Sequence, residues 1–119
     1  MSSSKTVVTL LYIQNEDSTF DLDYYLTKHF PAATSIYQRY GLQSAVVTKI
    51  QTSPGVAIPP YSVQATMVFD SQGEDGLEGF RAAMADPDAK AMATDRENFT
   101  NTTAVVLFGS MVQESVFSA

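Results

Sequence analysis

The sequence contains no cysteine and a single histidine, His29. The first absence excludes disulfides, thiolate catalysis and cysteine-bound zinc or iron–sulfur centres, and it removes any sign of an oxidising compartment. The second excludes a metal site built on several histidines. Basic residues are scarce as well: seven Lys and Arg against thirteen Asp and Glu leave a formal charge of −6, so neither nucleic acid nor an anionic membrane meets an electrostatic footprint. Long hydrophobic runs are missing too. The apolar stretch from Val7 to Ile13 is too short to span a bilayer, and Gln14-Asn15-Glu16-Asp17 after it lacks the small-residue pattern of a signal-peptide cleavage site. A soluble, cytoplasmic protein is the expectation, in which the N-x-T sequons at Asn98 and Asn101 are chance matches carrying no glycan.

What is present suits one domain. With 119 residues, 45% of them hydrophobic, the chain can bury about two-thirds of its unfolded surface in one core without metals or crosslinks. We read residues 1–119 as a single domain with a core over about 5–112 and a tail at 113–119. Val7 to Ile13 is β-branched and aromatic, a first strand covered on both faces. Ser18 or Thr19 is placed to cap a helix beginning at Phe20, with Asp21 and Asp23 in its first turn and Lys28 and His29 in its last, matching the helix dipole. Pro31 should break the helix and restart it through Tyr40, with Gly41 as its terminator. Ala45 to Ile50 reads as a second strand. Thr52 to Pro60, with three prolines and a glycine, leaves no room for a helical crossover, so an antiparallel third strand should follow. Tyr61 to Phe69 supplies it, with Tyr61, Val63, Ala65, Met67 and Phe69 on one face and Ser62, Gln64 and Thr66 on the other. Leu77, Phe80, Ala83 and Met84 have helical spacing, Asp86-Pro87 recaps a short helix to about Thr94, and Thr103 to Met111 is a last strand.

The order β-α-β-β-α-β predicts an α+β, ferredoxin-like fold: a four-stranded antiparallel sheet with helices on one face. Because the first strand is apolar on both sides, the other face needs a cover, and a second copy of the sheet supplies one. A homodimer through the sheet face follows.

His29 stands three, four and seven residues after Leu26, Tyr25 and Leu22, on the apolar stripe of its helix, and should point at the sheet. An imidazole there could act as general acid or base beside a pocket opened at Pro31. The plainer role is a buried histidine bonded to a backbone carbonyl, which spacing alone favours. Tyr24, Tyr25, Tyr37, Tyr40 and Tyr61, with Phe20, Phe69, Phe80 and Phe99, could line a cleft for a planar ligand or simply fill the core. Asn98 and Thr100 could add polar contacts at its mouth or serve the turn. Glu74, Asp75, Glu78, Asp86 and Asp88 have no calcium-loop spacing and read as solvated helix starts, so no metal is assigned. The glycines at 73, 76 and 79 match no phosphate-binding fingerprint, and no phosphate cofactor follows.

Three segments together resemble the EthD family of small dimeric α+β barrels: Phe20 to Pro31 with its tyrosine pair followed by H-x-P, Pro59-Pro60-Tyr61 leading into the third strand, and Asp95-Arg96-Glu97-Asn98-Phe99-Thr100. The resemblance runs from the first strand to about Val112. Two features depart from the family pattern, Ile13-Gln14-Asn15 in place of a frequent proline and a longer insert at Gly73 to Gly79. EthD proteins are named for a bacterial ether-degradation operon, and similar domains accompany oxidative or polyketide tailoring pathways. Related dimeric barrels include cofactor-free monooxygenases, cyclases, isomerases and dehydratases holding aromatic or lactone-like substrates between sheet and helices. His29, Tyr25, Asn98 and Thr100 match recurring positions of the family.

The resulting expectation is a cofactor-independent enzyme, or accessory enzyme, of catabolic or secondary metabolism. It would act on an aromatic, quinone or polyketide-like compound in a lyase, isomerase, cyclase or oxygenase step. His29 is the candidate acid or base and Tyr25 its catalytic companion, with Tyr37, Tyr61, Asn98, Phe99 and Thr100 contacting substrate. The alternative is a non-catalytic binder of a hydrophobic metabolite, or a dimer that stabilises an oxidative partner. The acidic surround favours a neutral ligand over an anionic one.

Overall fold

In the structure, a computed structural model, residues 5–70 and 76–118 are described. The predicted positions Gly73, Glu74 and Asp75 lie outside them. Four strands, β1 (Lys5–Ile13), β2 (Leu42–Lys49), β3 (Tyr61–Asp70) and β4 (Ala104–Ser110), form one sheet in the order β2-β3-β1-β4. Every neighbouring pair is antiparallel. This is the ferredoxin-like arrangement expected from the element order, and the register explains why one face is the core. Val8, Leu10 and Tyr12 stand opposite Met67, Ala65 and Val63, so the alternating apolar positions of β1 and β3 merge into one surface. Val8 and Phe69 are fully buried there.

The helices pack on that face. The first helical run comprises α1 (Leu22–Tyr24), a π turn (Tyr25–His29) and α2 (Phe30–Gln38). Its cap differs from the expected one: Asp21 accepts the Tyr24 N–H at 3.0 Å, while Ser18 is engaged with Asn15 and the Thr19 N–H goes to Asn101. The expected break at Pro31 is also absent. Proline brings no N–H to the ladder, and the chain accommodates it by widening beforehand, the Phe30 N–H bonding the Tyr25 carbonyl five residues back, as π turns do. The run therefore continues into α2, whose Ala33 and Ile36 are buried. Gly41, at φ 102°, reverses the chain in a left-handed conformation that costs glycine little.

The second helical layer is α3 (Glu78–Ala85), α4 (Pro87–Asp95) and a 3-10 turn (Arg96–Asn98). Asp86 caps α4 as its sequence indicates, accepting the Asp88 N–H at 2.8 Å. It also takes the Tyr40 hydroxyl at 2.6 Å and Arg39 at 3.2 Å, which ties α4 to the end of α2. Phe80 packs edge-on to Phe69 and Phe108. The opposite sheet face, with Val7, Leu11, Val46, Val68 and Leu107, has no helix over it among the described residues, and Val46 and Leu107 are more than half exposed. Beyond β4 residues 111–118 carry no regular secondary structure, and Val112, Val116 and Phe117 are exposed.

Candidate functional site

The site forms where the π turn meets the end of α4. Asp95, the last residue of α4, holds three side chains: its Oδ1 accepts the Tyr24 hydroxyl at 2.6 Å and the Asn98 amide at 2.9 Å, and its Oδ2 lies 2.9 Å from His29 Nδ1. The bonds from Tyr24 and then Asn98, helped by His29, keep the Asp95 carboxyl below the usual carboxylate range. It is therefore ionised at neutral pH. An ionised carboxylate can only accept, so His29 carries a proton on Nδ1, and in the neutral imidazole the lone pair is at Nε2. That nitrogen has no partner among the described residues, where no buried side-chain nitrogen or oxygen is left unpaired. Nε2 consequently reaches open space. The predicted alternative of a histidine bonded to a backbone carbonyl is replaced by this carboxylate contact, and the imidazole caps no helix.

Two rings pack against the imidazole and against each other. Tyr25 stacks on it with centroids 5.5 Å apart and planes 22° off parallel, and Phe99 lies 4.6 Å away. Behind them Tyr12 meets Tyr25 and Phe99 edge-on, each at 5.8 Å. Burial pushes the Tyr12, Tyr25 and Tyr37 hydroxyls up, Tyr25 furthest, so all three stay neutral donors. The Tyr25 hydroxyl lies near that of Tyr12, and each perturbs the other. Phe99 is held by its backbone, whose carbonyl accepts the Asp21 N–H at 2.7 Å.

Leu10, Tyr12, His29 and Tyr37 form a wall shared by two spaces. The inner one, about 30 Å³, is closed by Tyr25, Phe30, Ala33, Thr34, Ala65 and Met67, and has room for little more than a water molecule. The outer one, about 250 Å³, opens between α4 and β4, with Met84, Met92, Arg96, Phe99 and Val106 on its walls. This outer cleft is where a ligand has room to meet His29. Two more voluminous hollows, about 450 and 340 Å³, follow the surface loops near Asn15 to Ser18 and Thr19 to Asp21. Neither touches His29, so volume alone does not mark the site.

The residues matched so far belong to one recognisable domain. Residues 14–103 match the EthD domain. The chain belongs to the EthD family. No curated protein matches the sequence significantly. Among solved structures, an EthD-like protein from Ralstonia eutropha JMP134 superposes with a TM-score of 0.80 at 23% identity, covering 96% of this chain and 97% of that one. A variant of SnoaB, a cofactor-independent oxygenase from Streptomyces nogalater, gives 0.63 at 15% identity over 95% and 97%. A dimeric ferredoxin-like protein of unknown function from Thermobifida fusca YX gives 0.57 at 18% over 93% and 94%. At these identities the structural likeness speaks for the fold alone.

Within this EthD domain the sequence candidates fall into three groups. His29, Tyr25, Tyr37 and Phe99 come together around the two cavities. Asn98 and Thr100 line the separate 340 Å³ hollow with Phe20 and Asn101; the Asn98 amide bonds Asp95, and the buried Thr100 hydroxyl donates to the Thr19 carbonyl at 2.7 Å. Tyr61 begins β3, paired with Ile13, away from both cavities. Gln14, just after β1, closes the loop before β3 by bonding the Pro59 and Pro60 carbonyls. Tyr12, Asp95 and Arg96 join the site with no local sequence signal, although Asp95 and Arg96 open the third family-like segment. Among the described residues no group of His, Asp and Glu is arranged to hold a metal ion, and no helix is long and apolar enough to cross a membrane.

Proposed function

We propose that this EthD protein is a cofactor-independent enzyme for an aromatic, quinone or polyketide-like compound, working by proton abstraction at His29. The observation that carries the reading is the His29–Asp95 contact through Nδ1, which leaves Nε2 without a partner on a residue lining a cleft walled by tyrosine and phenylalanine. A substrate C–H or O–H made acidic by a neighbouring carbonyl or ring would give its proton to Nε2, and the Asp95 carboxylate would stabilise the imidazolium formed. The neutral Tyr37 hydroxyl stands in the same wall to donate to the developing enolate or phenolate oxygen. Tyr25, stacked on the imidazole, fixes its plane. Returning the proton to a different carbon gives an isomerase. Expelling a β-hydroxyl as water gives a lyase, and capture of the carbanion by dioxygen, as co-substrate, gives an oxygenase. The fold shared with SnoaB supports the last branch by analogy.

We also propose that the working unit is a homodimer closed through the open sheet face. The chain exposes 7661 Å², whereas a folded monomer of 13.0 kDa is expected to expose about 6,300 Å². The excess of about 1,300 Å², to which the exposed tail contributes, is ample for one side of a standard interface. The dimeric neighbour from Thermobifida fusca has the same fold.

Proton abstraction can be tested without knowing the product. An anthrone, which carries an acidic ring CH₂, is incubated with the protein in D₂O and exchange at that carbon is followed by NMR. Wild type should accelerate exchange, and His29→Gln should lose about 10²–10⁴ of the acceleration, the usual worth of a positioned base. Tight anthrone binding without accelerated exchange would support the metabolite-binding role instead.

A further inference from the structure

The cleft mouth carries a positive charge that the net charge of the chain conceals. Three consecutive residues of the 3-10 turn divide between two surfaces, Arg96 lining the outer cleft with His29 and Tyr12, and Glu97 and Asn98 lining the hollow behind it. Of the acids nearby, Glu97 lines the hollow behind and not the cleft, and the others are already committed. Asp95 is bonded to His29, Tyr24 and Asn98, while Asp86 and Asp88 hold Arg39. Among the described residues Arg96 makes no ion pair. Its charge is felt in the cleft, where it favours the ionised form of the Tyr12 hydroxyl against the desolvation that opposes it. A guanidinium on the rim of an aromatic cavity, with no carboxylate of its own, has a vacant planar fork of donors suited to two carboxylate oxygens.

We propose that Arg96 determines specificity at this cleft by binding a carboxylate on the aromatic ligand. Resting on the assignment of the His29 cleft as the substrate site, this narrows the substrate class from neutral ring compounds to aromatic or polyketide-derived acids. The carboxylate sits at the mouth against Arg96 and the ring system lies inward between Tyr12, Tyr37 and Phe99, bringing its acidic position toward His29 Nε2. The volume of about 250 Å³ is below the roughly 300–1,000 Å³ of drug-sized pockets, which suits two or three fused rings. Local charge therefore outweighs the acidic surface, whose more distant groups are screened by salt.

The test uses 1-hydroxy-2-naphthoic acid and its methyl ester, which share a ring system and differ in charge. Their binding to wild type, Arg96→Gln and Arg96→Lys is measured by calorimetry, with the His29 and tyrosine ring signals followed by NMR. The acid should bind wild type about 10- to 100-fold more tightly than the ester, the range expected of a charge-assisted hydrogen bond. Arg96→Gln should abolish that preference and leave ester binding unchanged, and Arg96→Lys should keep part of it. Because Arg96 is exposed and its structural bonds come from its backbone carbonyl, both variants should melt within a degree or two of wild type. Equal binding of acid and ester, or a preference that survives Arg96→Gln, with the His29 signal shifting in each case, would overturn the role of Arg96 and leave the cleft assignment standing. Failure of both ligands to move the His29 signal would overturn the cleft assignment and the Arg96 proposal with it.

Discussion

Asp95→Asn separates the electrostatics of the site from its shape. The substituted amide keeps one oxygen, which can still accept from Tyr24 and Asn98, but it turns an NH₂ toward His29 Nδ1. A donor there forces His29 to accept on Nδ1 and to carry its proton on Nε2, so the nitrogen facing the cleft loses its lone pair. Two magnitudes follow. Bonds to a charged partner contribute about 1.5–3 kcal/mol against about 0.5–1.5 for neutral ones. With the Asp95 side chain 18% exposed, losing that difference costs about 1–2 kcal/mol of stability, roughly 3–10 °C in Tm for a domain of this size. Catalysis should suffer far more, exchange into the anthrone falling by about 10²–10⁴. The assay pairs that rate with ¹⁵N NMR of the imidazole, which reports the tautomer directly. Exchange within threefold of wild type, or a proton still on Nδ1, would refute the role assigned to Asp95.

Acid should destabilise the fold through Asp95 and Asp86. The bonds Asp95 receives from Tyr24 and Asn98, and those Asp86 receives from Tyr40 and the Asp88 N–H, lower both carboxyls relative to the unfolded chain. Their contribution is therefore complete above the ordinary aspartate value of about 3.9 and is lost as pH falls through the lower folded values. Melting curves from pH 7 to 2 should show this loss, and Asp86→Asn should flatten it; an unchanged slope would count against the cap. Light scattering should give twice the 13.0 kDa chain mass. Leu107→Lys, placing a charge on the open face beside Thr9, should convert the protein to monomer, and an unaltered mass would argue against the sheet-face interface. Tyr25→Phe removes the hydroxyl next to that of Tyr12 within the aromatic cluster. It should cost about 0.5–1.5 kcal/mol of stability while ester binding changes less than twofold; the reverse pattern would put the Tyr25 hydroxyl in contact with ligand.

The fold was legible wherever a single element carries its own signal. The alternation of Tyr61 to Phe69 located β3 and the face it buries, and Asp86-Pro87 located the start of α4. Where several residues can do the same work, local reading chose wrongly: Ser18, Thr19 and Asp21 all bear capping oxygens, and contacts with Asn15 and Asn101 leave the cap to Asp21. At Pro31 the proline signal is real, but the helix absorbs it with a π turn rather than a break. The site was half visible. His29 reveals itself by its position on the apolar stripe, whereas Asp95, 66 residues further on, has nothing in its own neighbourhood to mark it as the partner. Asn98 and Thr100 sit on the connector before the last strand, where sequence suggests either contacts at the cleft mouth or turn chemistry. The backbone turns there, so Phe99 points inward while its neighbours face the other side.

A crystal structure of the protein with a bound ring acid would test the central claim most directly, because several spaces compete for the ligand. With 1-hydroxy-2-naphthoic acid soaked in, the ring should occupy the cleft between α4 and β4 and its hydroxyl should lie within about 2.6–3.2 Å of His29 Nε2, the reach a working base requires. A ligand seated instead in the hollow of Asn98 and Thr100, or against the open sheet face, with the His29 cleft empty, would contradict the account.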